Sequence, residues 1–156
     1  MIQLLKLIPE NILYQNAHGS GEIGKIWTDH HNAFSQFIKK MSPKNILEIG
    51  GGHGKLANNF LKKNIAKWTI IEPNPQPNSN TSIKNIKGFF NKDFKIKDDF
   101  DAIIHSHTLE HIYYPMTFMD NISSYLKEGG LHIFSIPNLE KMLIQKYTNC
   151  LNFEHT

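Results

Sequence analysis

The chain has 156 residues, 17 basic and 14 acidic side chains and a net charge of +3, and all of its basic residues other than histidine are lysine. Without guanidinium forks to read guanine or clamp phosphate, and with its lysines scattered, the chain is not expected to bind nucleic acid. The single Cys150 allows no internal disulfide, the opening MIQLLKLIPE does not read as a secretory leader, and no run approaches the roughly 18 apolar residues of a membrane span. A reducing, cytoplasmic, membrane-free setting is the expectation.

A chain of this length predicts one domain, 1–156, with residues 1–43 as a helical lead-in and 44–156 as its core. In the lead-in, Asp29 suits an N-cap, and Phe34, Phe37, Ile38 and Met41 recur at helical spacing until Pro43 stops the helix. Residues 45–49 (NILEI) read as a buried strand, 55–63 as a helix and 68–71 (WTII) as a second strand. Residues 73–80 (PNPQPNSN) form a loop, 82–90 a weaker strand and 100–104 (FDAII) a clearer one. A helix over 115–126 begins with proline and is ended by Gly129 and Gly130, before a last strand at 131–136 (LHIFSI). Alternating strands and helices predict an α/β fold with a doubly wound, mostly parallel sheet that takes ligands at the carboxyl ends of its strands.

The first strand runs into a glycine loop, EIGGGHGKL, holding Glu48, Gly50, Gly51, Gly52 and Gly54. Glycines at a strand-to-helix turn allow positive φ and bring bare backbone close to a ligand. The dinucleotide pattern G-x-G-x-x-G would need a third glycine where Lys55 stands. The triphosphate loop G-x-x-x-x-G-K-[ST] fails at Ile49 and Leu56.

What remains, ILEIGGGHG, resembles the first motif of the class I S-adenosylmethionine-dependent methyltransferases, in particular the bacterial enzymes that modify sugars and polysaccharides. The resemblance continues through IIEPN, FDAIIHSHTLEH and LKEGGLHIFSIPN, in order, over roughly residues 30–140. It implies a Rossmann-like methyltransferase core with S-adenosylmethionine as cofactor and S-adenosylhomocysteine as product. It also implies roles. Glu48 would reach the ammonium of the methionine moiety, and the backbone of Gly50, Gly51, Gly52 and Gly54 would lie against the cofactor. Glu72 would hold the ribose hydroxyls, with Pro73 and Asn74 beside the adenine. The family's usual Gly-Asp is here Gly88-Phe89-Phe90, so Phe89 or Phe90 would stack on the adenine instead. His105 and Ser106 would meet the cofactor at the end of the fourth strand, His105 through its backbone. An acid about 20 residues beyond a glycine loop has the same logic in dinucleotide folds, and Glu72 lies at that distance from Gly52.

The stretch HSHTLEH also contains H-x-x-E-H, a zinc-hydrolase pattern that would need His107 and His111 on one helical face and a third ligand. Its place after a strand facing the glycine loop favours catalysis without metal, with His107 and His111 as bases near the transferred methyl. Trp27, His30 and His31 in the lead-in either cover the acceptor or only pack and face solvent. The acceptor implied is a hydroxyl of a sugar or phosphorylated metabolite, in surface polysaccharide (capsule) synthesis. A homodimer is left open. The alternatives are an NAD(P)-dependent oxidoreductase and a cofactor-binding module without turnover. The family's last two strands are missing after LNFEHT, so the chain is expected either to be truncated or to leave a sheet edge exposed.

Overall fold

Short runs that are apolar on both sides become central strands here, because a parallel sheet covered on both faces has no solvent side. The computed structural model describes residues 7–14, 24–77 and 79–147. Its helices are α1 (Glu10–Leu13), α2 (Lys25–Met41), α3 (Lys55–Leu61), α4 (Pro115–Tyr125) and α5 (Leu139–Ile144). The strands β1 (Asn45–Ile49), β2 (Lys67–Glu72), β3 (Ile83–Lys87), β4 (Phe100–Ser106) and β5 (Leu126–Ser135) form one parallel sheet in the order β3-β2-β1-β4-β5. The chain runs outward from β1 to β3 on one side and from β4 to β5 on the other, so the topological switch point lies between β1 and β4.

Alternation along each strand sorts the core into two layers. On one face Ile46, Trp68, Ile70, Ala102, Ile104 and Ile133 pack under Phe34 and Ile38 of α2 and Leu56, Ala57 and Phe60 of α3. On the other, Leu47, Ile49, Ile71 and Ile103 pack under Phe118 and Ile122 of α4. No helix connects β3 to β4; Phe90 and Phe94 from that connection cover the sheet instead, with ring centroids 5.1 Å apart and Phe90 edge-on to Phe118 at 5.6 Å. Full burial of such side chains is worth about 1.5–3 kcal/mol each. At the opposite end of the sheet from the glycine loop, Asp101 joins three elements, accepting from the backbone N–H of Lys44 (2.9 Å) and Asn45 (2.8 Å) and from Lys127 Nζ (2.7 Å).

The α/β class and the parallel sheet agree with expectation, but several boundaries do not. Helix α2 starts at Lys25 behind Gly24, a turn before Asp29, which instead pairs with Lys25 on the exposed face. Its buried stripe is His31, Phe34, Ser35 and Ile38, leaving Phe37 and Met41 exposed. Helix α4 gives way directly to β5 at Leu126, so Gly129 and Gly130 lie within a strand. The register jumps from Phe100 opposite Leu126 to Ala102 opposite Leu131, a bulge in which Gly129 takes φ +73°. Among the described residues no helix is long and apolar enough to cross a membrane. The segment LNFEHT lies outside them.

Candidate active site

The glycine loop leaves β1 at the switch point. Gly50 has φ +72°, and its N–H donates to Ile71 O of β2 at 2.9 Å. A Cβ on Gly50 would stand 2.8 Å from Thr108 Oγ1, and one on Gly51 would meet Glu48 Cδ and Ile70 Cγ2, each at 2.8 Å. The loop is thus wedged between the end of β4 and the side chains beneath it. Gly52 is different: among the described residues nothing lies within 4 Å of its would-be Cβ. Gly50→Ala is expected to cost about 2 kcal/mol or more, from the left-handed backbone and the Thr108 contact together. Chemical denaturation checks this, and adding Thr108→Ala should relieve only the steric part.

Glu48 was expected at a ligand's ammonium. It is instead buried, its Oε2 accepts from Trp68 Nε1 at 2.8 Å, and its Cδ fills the space under Gly51. It supports the loop from inside. Glu72, at the tip of β2, spans the mouth of the loop: Oε2 accepts from Gly52 N and Oε1 from Asn74 N, both at 3.2 Å. Asn74 Nδ2 in turn donates to Tyr14 O, and Tyr14 sits edge-on to Phe89 with centroids 6.0 Å apart. Pro73 and Asn74 are therefore beside Glu72, and Phe89 borders the same end of the sheet. Phe90 does not: it is buried in the aromatic core, so its ring has no face free for a ligand.

The segment carrying α1 was missed by sequence reading, since four helical residues give no periodic signal. It crosses this end of the sheet, bonded through Tyr14 O to Asn74 and through Ile8 O to Tyr113 Oη at 2.7 Å. Burial pushes Glu10 above the usual carboxylate range.

On the other side of the loop, β4 ends in His105, Ser106 and His107, whose side chains diverge. His105 points into the α4 face and is fully buried, so only its backbone reaches the strand end. Ser106 points to the α2 face. It was expected against the cofactor; its Oγ is 2.8 Å from His30 Nε2 and 2.8 Å from Ser135 Oγ, with His30 Nε2 to Ser135 Oγ 3.5 Å. Three hydrogen-bonding groups from α2, β4 and β5 thus converge in one triangle.

His107 breaks from the strand with φ +53°, and within the motif the chain makes a 3₁₀ turn over Leu109–His111 rather than an α-helix. His107 and His111 therefore do not share a helical face, the arrangement the zinc pattern requires. Among the described residues no group of three or more His, Cys, Asp or Glu is placed to hold a metal ion. His107 Nδ1 lies 3.5 Å from Glu110 Oε1, and its ring packs against Trp27 (5.0 Å between centroids) and His30 (5.3 Å), close to perpendicular to each. Burial works against the charge of Glu110, yet the hydrogen bond from His107, a backbone bond and the charges of His111 and His107 hold its carboxyl below the ordinary range. Trp27 and His30, left between two readings in the sequence, thus join His107 at the carboxyl ends of β4 and β5.

A parallel sheet with a glycine loop at its switch point, and an acid across that loop at the end of β2, define a Rossmann-like domain of the kind that binds nucleoside cofactors. The model of the methyltransferase domain family matches residues 24–156, and the chain belongs to that family. No curated protein matches the sequence. Among solved structures the fold is similar to that of the plantazolicin methyltransferase BpumL in complex with a desmethylPZN analog and SAH, at 20% identity and TM-score 0.59 over 74% of this chain and 49% of that one. It is similar to the N-methyltransferase NodS of Bradyrhizobium japonicum in complex with S-adenosylhomocysteine, at 18% identity and TM-score 0.61 over 78% and 67%. It is also similar to the CcbJ methyltransferase of Streptomyces caelestis, at 17% identity and TM-score 0.57 over 67% and 48%. The chain spans about half the length of BpumL and CcbJ.

Proposed function

We propose that this domain transfers a methyl group from S-adenosylmethionine to a hydroxyl of a small polar acceptor, a sugar or phosphorylated metabolite. The observation that carries the cofactor is the carboxylate of Glu72 set across Gly52, whose would-be Cβ meets nothing among the described residues. A carboxylate there can accept from both hydroxyls of a ribose, while the bare loop backbone admits the rest of a nucleoside thioether. The residues fit such a group in a second respect: Tyr14 and Phe89 offer aromatic surface beside Asn74, where an adenine would lie. BpumL and NodS, which share the fold, were crystallised with S-adenosylhomocysteine.

When bound, S-adenosylmethionine supplies a methyl carbon on a sulfonium, open to in-line attack. The chain's own part is to position and deprotonate. Glu72 and the loop fix the nucleoside end, and Thr108, wedged against Gly50, keeps the loop from shifting. His107 takes the proton of the acceptor hydroxyl, and Glu110 beside its Nδ1 favours the imidazolium that results. His111, whose charge also acts on Glu110, is the second imidazole of this group. A place in surface polysaccharide synthesis in a bacterial cytoplasm is supported by sequence resemblance alone.

The test is a thermal-shift titration with S-adenosylhomocysteine beside NADH. At 100 times Kd a ligand adds about 2.7 kcal/mol, or about 5–10 °C for a domain of this size. That shift with the nucleoside thioether is expected; a shift with NADH alone would overturn the reading in favour of a nicotinamide enzyme.

A further inference from the structure

The triangle of His30, Ser106 and Ser135 lies on the α2 face of the sheet, beside His107 and away from Glu72. Its members come from residues up to 105 positions apart, brought together because Ser106 and Ser135 are register partners at the ends of β4 and β5 and α2 crosses above them. All three are partly exposed. Trp27 forms one wall, 5.7 Å from His30 and 5.0 Å from His107 between centroids and steeply inclined to both.

The chemistry of this corner is specific. Two hydroxyls and an imidazole both donate and accept, and none needs a charged partner. The carboxylate at hand, Glu110, is engaged by His107. Such a set suits vicinal hydroxyls, which also donate and accept, and the three groups of the triangle themselves carry no negative charge for an ammonium. The apolar ring of Trp27 beside a polar cluster suits the alternating C–H face and hydroxyl rim of a sugar ring.

Resting on the methyl-transfer reading above, we propose that His30, Ser106 and Ser135, with Trp27 as the apolar wall, form the acceptor subsite and select a sugar ring through its hydroxyls. His30 and the two serines are specificity-determining residues. His107 performs the proton transfer next to them.

The experiment uses the full chain with methyl-labelled S-adenosylmethionine, a panel of methyl glycosides and nucleoside-diphosphate hexoses, and a contrasting panel of small amines. Label is expected on a sugar hydroxyl. With that sugar, Ser106→Ala/Ser135→Ala is expected to raise KM about 10- to 100-fold, as for two lost hydrogen bonds, with kcat falling far less than KM rises. His30→Ala should behave alike, and His30→Gln, which retains a hydrogen-bonding side chain, should recover part of the loss. His107→Ala should instead lower kcat. S-adenosylhomocysteine affinity, measured by calorimetry on each variant, should stay within about threefold, well short of a tenfold loss, which would correspond to 1.4 kcal/mol. Label on amines alone, no label on any sugar although S-adenosylhomocysteine binds, or a KM that does not respond to the serines would each overturn the proposal. Failure to bind S-adenosylhomocysteine at all would overturn the methyltransferase reading beneath it.

Discussion

Glu72→Ala is expected to weaken S-adenosylhomocysteine binding about 10- to 100-fold, a loss of about 1.4–2.8 kcal/mol measurable by calorimetry. The carboxylate sits where both its oxygens already accept backbone N–H groups, from Gly52 and Asn74, while keeping lone pairs for a ligand. A ribose diol donating to those remaining lone pairs makes charge-assisted bonds, which are about twice as strong as neutral ones. Removing the side chain takes away these bonds and also loosens Gly52, so part of the loss arises through the loop. Glu72→Gln separates the two parts. It keeps the length of the side chain but turns one oxygen into a donor, which cannot accept from both a backbone N–H and a hydroxyl. Its affinity should fall between those of wild type and Glu72→Ala. Affinity within about twofold of wild type in Glu72→Ala would mean that the nucleoside does not lie across this carboxylate.

The parts of this site that were legible in the sequence are those whose cause is local. Burial on both faces makes β1, β2 and β4 continuous apolar runs, and the glycine loop follows β1 directly, so both the sheet and the loop could be placed from pattern alone. The position of Glu72 at the tip of β2 was legible because it closes the second apolar run, about 20 residues beyond the glycine loop. What escaped depends on long-range contacts or on local breaks in pattern. The start of α2 carries no capping side chain, since Gly24 occupies that position, and Asp29 gave a false signal for it. The bulge in β5 hid the strand's beginning behind two glycines that usually end helices. The spacing of H-x-x-E-H does not reveal that His107 takes a left-handed backbone. Phe90 looked available for stacking because a sequence does not show that the β3 to β4 connection lacks a helix and must cover the sheet with phenylalanines. The pairing of His30 with Ser106, 76 residues away, leaves no trace in either segment.

Mild acid is expected to destabilise the fold through His105. Its imidazole is fully buried, stacked on Phe134 at 5.2 Å and edge-on to Phe118 at 5.5 Å, with Nε2 2.9 Å from His132 Nε2. One proton shared between two Nε2 atoms satisfies a neutral pair. One further proton makes one of the two rings an imidazolium in this buried position, and among the described residues nothing accepts a hydrogen bond from the buried Nδ1 of His105. Burial first, and then the charge of His132, push the pKa of His105 down to about 3, against a smaller opposing effect of Glu110. Burial also lowers His132. Because the folded pKa lies below the unfolded value of about 6.5, the unfolded chain binds the proton first. The stability is fully present above about pH 6.5 and falls as the pH drops, by up to about 1.4 kcal/mol per unit. Between about pH 6.5 and 5, above the range in which Asp101 and Glu110 titrate, the loss from His105 alone should reach about 2 kcal/mol. Urea denaturation across that window should show the midpoint falling with pH, and His105→Phe, which keeps an aromatic ring against Phe118 and Phe134, should flatten the slope. A midpoint that does not move over the window, or an equal slope in His105→Phe, would show that the buried imidazole is not the group excluding the proton.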